Sequence, residues 1–74
     1  NPETTISFNL KQAGDVTLRI FDALGREVET QLHKMTVSGS AKIPFNAGTL
    51  PSGAYFYQVM SGSQQLSGKM MLIR

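Results

Sequence analysis

The side chains able to do chemistry are few and scattered. His33 is the one histidine in 74 residues, set between Leu32 and Lys34, and no cysteine stands anywhere to act as a nucleophile beside it. A lone histidine on a polar stretch has no group to orient it as a general base, so it reads as a solvated side chain. Serines are plentiful, but none lies in the Gly-x-Ser-x-Gly turn that raises a nucleophile above a sheet. The carboxylates offer no pair spaced for acid–base work, since Glu27 and Glu29, two positions apart on a strand, merely share a face. No glycine loop cradles a phosphate. Asp22-Ala23-Leu24-Gly25 resembles part of a calcium loop, yet it supplies one carboxylate and no Asp/Asn ladder follows it. These residues predict neither an enzyme nor a metal or cofactor site.

What remains is recognition chemistry. Phe56 and an outward Phe21 are candidates for a sugar-stacking or partner platform, against the plainer reading of core packing or loop cover. Lys69 and Arg74 bracket the last strand five positions apart and so point to opposite faces. They either blunt an edge strand against aggregation or mark a terminal tag whose charged ends a receptor reads.

The elements that must position these residues are organised around the last third of the chain. Pro51-Ser52-Gly53 launches Ala54-Tyr55-Phe56-Tyr57-Gln58-Val59-Met60, a Ser61-Gly62-Ser63 turn follows, and Leu66 to Arg74 returns beside it. Tyr55, Tyr57 and Val59 share one face, with Ala54, Phe56, Gln58 and Met60 on the other; bulk on both faces marks a central strand. Gly53 is expected at positive φ in the turn that enters it.

Upstream, Thr4 to Leu10 alternates with Ile6, Phe8 and Leu10 on one side, and Lys11 to Asp15 reverses the chain at Gly14. Asp15 to Asp22 repeats the alternation, with Val16, Leu18 and Ile20 inward and Thr17, Arg19 and Phe21 outward. Asp22 to Gly25 has tight-turn chemistry, because the carboxylate accepts from N–H groups ahead of it and Gly25 takes the left-handed region. Arg26 to Val37 fits a strand through Val28, Thr30 and Leu32, or a helix face through Val28, Leu32 and Met35. Strand is favoured because the preceding turn is of the hairpin kind, with the second half expected to be irregular. Thr36 to Ser40 is a loop, and Ala41 to Asn46 a short strand with Ile43 and Phe45 inward, placed by Pro44 at an edge or bulge.

Six or seven short strands separated by Gly/Pro/Ser turns predict a small all-β, immunoglobulin-like antiparallel β-sandwich spanning residues 1–74. The expected core is Ile6, Phe8, Val16, Leu18, Ile20, Val28, Ile43, Phe45, Tyr55, Tyr57 and Val59, and Tyr55 suits a tyrosine-corner contact. Without cysteines the sheet must stand on packing and backbone hydrogen bonds. A net charge of +2, spread along the chain, argues against a nucleic-acid patch, and no window is long and apolar enough to span a bilayer. An opening on Asn1-Pro2 without an initiator Met reads as one domain of a longer protein.

Taken in order, Asn1-Pro2, Thr5-Ile6-Ser7-Phe8, Val16 through Val28, Leu50-Pro51-Ser52-Gly53-Ala54-Tyr55-Phe56-Tyr57 and Lys69 through Arg74 resemble the C-terminal sorting domain of type IX secretion cargo. The resemblance covers essentially the whole chain, and its pieces are specific only together. It implies an immunoglobulin-like domain at the end of a cargo protein of the Bacteroidota, carried through periplasm and outer membrane to the cell surface or beyond. The implied partners are the outer-membrane translocon, the upstream cargo domain and a sortase-like peptidase that removes the domain from many cargoes. The family's recurrent positions fall on Pro2, Asp22, Gly25, Gly53, Tyr55, Lys69 and Arg74, of which Gly53, Tyr55, Lys69 and Arg74 are the expected recognition residues and Asp22 and Gly25 the structural turn. Arg74 stands where the family often ends in Lys. The immunoglobulin-like domain of the flagellar hook-capping protein is similar in pattern, but it usually carries Trp-Asp-Gly where this chain has Pro44-Phe45-Asn46-Ala47-Gly48. The alternative function is a carbohydrate- or surface-binding sandwich accessory to an extracellular enzyme, which should expose two or three coplanar aromatics.

Overall fold

The computed structural model describes residues 3–73. Alternating apolar residues fold there into six strands: β1 (Glu3–Leu10), β2 (Gly14–Phe21), β3 (Glu27–Met35), β4 (Gly39–Asn46), β5 (Gly53–Ser61) and β6 (Gln64–Leu72). β1 pairs with β4, and the other four form a sheet in the order β3-β2-β5-β6, every pairing antiparallel. The two sheets stack as a sandwich, and the order matches the B-E and C′-C-F-G strands of the immunoglobulin fold. β5 is central, and Pro44 sits on a strand with one neighbour, the edge setting expected of a residue with no N–H to donate.

The period of two places Ile6 opposite Ile43 and stacks that pair on Val16, Leu18, Ile20, Tyr55 and Val59 of the larger sheet. Leu10, Phe45 and Ala47 complete the buried cluster. Phe8 and Tyr57, expected in the core, are half-buried at its margin. Gln64 closes that margin: its amide donates to the Asn9 carbonyl at 2.7 Å and its side-chain oxygen accepts from the Lys11 N–H at 2.9 Å.

β3 departs from expectation twice. It is regular through Met35, because its second half pairs with β2 as far as Gly14. Its facing is also inverted: Val28, expected inside, is 37 % exposed and Leu32 is 79 % exposed. Ile20 lies opposite Glu29 and Phe21 opposite Glu27, so Val28 is an extra residue in a β-bulge. One inserted residue exchanges the two faces of everything beyond it. Glu29, Gln31, His33 and Met35 therefore take the half-buried side. His33 is accordingly held in a polar ladder, its Nε2 2.8 Å from Gln31 Oε1 while the Gln31 amide donates to the Glu29 carboxylate.

Candidate recognition surface

One end of the sandwich gathers most of the residues singled out in the sequence. The β2–β3 turn is built by Asp22. Its N–H donates to the Arg26 carbonyl at 2.9 Å, and its own carbonyl accepts from Gly25 at 3.0 Å. Its Oδ1 accepts from the N–H groups of Leu24 and Arg26, and its Oδ2 from Arg26 Nε, all at 2.9 Å. Gly25 at φ +83° supplies the left-handed step that a side chain would resist. The Arg26 N–H above all holds the Asp22 carboxyl below the usual aspartate range; partial burial opposes this, and the Arg26 side chain and Leu24 N–H add to it. Both carboxylate oxygens thus face N–H donors and serve the turn. The clamped loop holds up Leu24, which is 79 % exposed.

The β4–β5 connection lies beside this turn, because β2 ends opposite the start of β5 with Phe21 against Phe56. Tyr55, buried, donates from its hydroxyl to the Pro51 carbonyl at 2.7 Å, four residues back. That is the tyrosine corner expected at this position of an immunoglobulin sandwich. Gly53 enters β5 at φ +156°. Between the turn and the connection runs a groove of about 330 Å³, lined among others by Leu24, Arg26, Val28, Leu50 and Pro51.

The final strand completes the surface. Lys69 is exposed directly opposite Phe56, so Glu27, Phe21, Phe56 and Lys69 form one row across the outer face of the four-stranded sheet. Arg19 and Glu27 meet on this face at 3.5 Å, whereas Lys69 enters no ion pair among the described residues. Leu72 pairs with Gly53, which brings the end of β6 to the groove, and Ile73 beyond it is 82 % exposed. Arg74, like Pro2, lies outside the described residues. Asp22, Gly25, Gly53, Tyr55 and Lys69 therefore share one end of the molecule, but in different capacities: Tyr55 is buried and Lys69 exposed.

Sequence reasoning missed Gly68. It pairs with Tyr57, and a Cβ there would stand 2.3 Å from the tyrosine hydroxyl oxygen, so the ring lies over the bare backbone. A glycine inside a strand is the signal for such a close approach. Of the aromatic residues, Phe56 alone is exposed among those described, at 43 %, with Phe21 half-buried next to it. A sugar-binding face would need a second accessible ring.

Two stacked antiparallel sheets with a built turn and a tyrosine corner define a small immunoglobulin-like β-sandwich. The chain belongs to the secretion system C-terminal sorting domain family, whose model matches residues 1–73. Neither a curated protein nor a solved structure matches it. It carries a type IX secretion C-terminal sorting signal, which implies dealings with that secretion machinery and export to the cell surface or secretion.

Proposed function

We propose that this domain is a non-catalytic export signal at the end of a cargo protein, read by the type IX outer-membrane translocon through the end of the sandwich that holds Gly53, Tyr55 and Lys69, with Arg74 as a further recognition residue. Gly53 and Tyr55 shape the surface from within, Lys69 and Arg74 are the charges that are read, and Asp22 and Gly25 keep the neighbouring turn in form. A translocon serving unrelated cargoes needs a folded element common to all of them, and the β5–β6 hairpin presents an edge strand that can serve as one. The observation that carries this reading is Lys69, exposed on the edge strand opposite Phe56 and in no ion pair among the described residues. A sortase-like peptidase acting afterwards would remove the domain from the exported cargo.

The test is charge reversal, because deleting the last strand would destroy the fold along with the signal. Lys69→Glu with Arg74→Glu should leave the domain folded, since exposed charges usually contribute within about 0.5 kcal/mol. The same variant should block export of a fused reporter in a type IX-competent host. Export at the wild-type level from a folded double variant would remove these two residues from the recognition site.

A further inference from the structure

The backbone of β6 has a free side whose residues follow from the register. Gly62 at φ +57° and Ser63, which has no positive φ, make the two-residue turn between Ser61 and Gln64, the form with glycine first. Such a turn closes on a hydrogen-bonded pair, and antiparallel pairs then alternate. The bonded partners across β5 and β6 are therefore Ser61 with Gln64, Val59 with Leu66, Tyr57 with Gly68, Tyr55 with Met70 and Gly53 with Leu72. That leaves Gln65, Ser67, Lys69 and Met71 with N–H and C=O directed away from the sheet, along about 20 Å of edge at roughly 3.4 Å per residue.

Beside this edge, on the inner side, a groove of about 440 Å³ separates β6 from β1, with Phe8, Tyr57 and Leu66 half-buried in its lining. The same alternation applied to β2 leaves β3 a free side at Thr30, Leu32 and Lys34, because Thr17 and Arg19 bond to Met60 and Gln58. But β3 is bulged at Val28 and carries Glu27, Glu29 and Lys34. Bulges and charges are how sheet edges are closed to further strands. β6 has no register shift and a single charge, Lys69, and its second half is Met70-Met71-Leu72. Methionine adapts to varied surfaces.

We infer that the β6 edge is a template on which an extended strand of a protein partner adds to the four-stranded sheet. Residues of that strand facing inward lie in the groove over Phe8, Tyr57 and Leu66 and are apolar. Those facing outward lie beside Gln65, Ser67, Lys69 and Met71, and one of them is a carboxylate that meets Lys69, which enters no ion pair among the described residues. The partner is thus a segment apolar at every second position with one acidic residue, held by main-chain bonds and placed in register by a single charge. This deepens the sorting-signal reading and rests on it for the partner's setting, but the binding event can be tested apart from export.

The probe is a capped ten-residue peptide alternating valine and threonine with one central glutamate, and the readout is amide hydrogen exchange. In the free domain the amides of Gln65, Ser67, Lys69 and Met71 should exchange fast and those of Leu66, Gly68 and Met70 slowly. With peptide in excess the first set should slow at least about tenfold, a coupling of roughly 1.4 kcal/mol. Ser67→Pro, which removes an N–H that bonds to nothing in the domain, should abolish the effect, and Lys69→Glu, a variant that leaves the backbone intact, should weaken it. No protection at millimolar peptide, or equal protection at Thr30, Leu32 and Lys34, overturns the inference. So does protection that grows with domain concentration in the absence of peptide, since the added strand would then be a second copy. Protection with wild-type export retained in Ser67→Pro would uphold strand addition while refuting its use in sorting.

Discussion

The two edges of the four-stranded sheet, β3 and β6, have the same length and opposite character. β3 is interrupted by the Val28 bulge, bears three charged side chains and ties Glu29, Gln31 and His33 into a ladder on its half-buried side. β6 runs without a register shift, bears one charge and lies against a lined groove. An edge that must only stay soluble is closed by such devices, and an edge that must be read is left open. The contrast is what points the proposed recognition to β6 rather than to β3.

Proline placement sharpens the contrast most. Leu66→Pro removes an N–H bonded to Val59 and leaves that carbonyl unpaired, which should cost about 2–3 kcal/mol. Ser67→Pro, one residue away, should cost less than about 1 kcal/mol, because its N–H faces solvent at an edge. Denaturant midpoints that fall together would show the register derived for β6 to be wrong. Next in size is Gly68→Ala, whose methyl displaces the Tyr57 ring at a cost of about 2 kcal/mol. Combining it with Tyr57→Leu should recover much of that loss, a non-additivity that a double-mutant cycle reads directly. Gly53→Val should cost about 1 kcal/mol or more, since a β-branched residue is poorly tolerated at φ +156°.

The smallest effect concerns the turn beside β3. Asp22 has a folded-state pKa below its unfolded one, so its contribution is fully present above the unfolded value and is lost as pH falls through the folded value. Asp22→Asn should therefore melt below wild type at neutral pH, with the difference closing only under strong acid. Melting temperatures followed from pH 7 downward check this, and a difference independent of pH would mean that the hydrogen-bond geometry matters and the charge does not.

Much of this molecule is legible in its sequence where a local rule governs. Alternation gives β1, β2 and β5 their faces, and the Asp22-to-Gly25 chemistry gives the turn. The position of Tyr55 four residues after Pro51 gives the corner contact. The rule fails at Val28, because a bulge depends on how two strands are registered and the local pattern Val28, Thr30, Leu32 is that of an unbulged strand. Gly68 and Gln64 escaped for the same reason: each acts on a residue brought near by the fold, Tyr57 in one case and the backbone of Asn9 and Lys11 in the other. Of the candidate site, Lys69 was singled out by its type and position, while its place opposite Phe56 and the absence of an ion pair to it among the described residues needed the structure.

The central claim is that the β6 edge is read and the β3 edge is not, and a matched pair of edge prolines tests it. Each of Leu32→Pro and Ser67→Pro removes one solvent-facing N–H, from β3 and β6 respectively, and surface export of a fused reporter is measured for both after confirming that each variant is folded. Leu32→Pro should export within about twofold of wild type, whereas Ser67→Pro should fall at least about tenfold, the loss expected when roughly 1.4 kcal/mol of binding is removed. Equal export by the two variants, whether both normal or both impaired, would contradict the account.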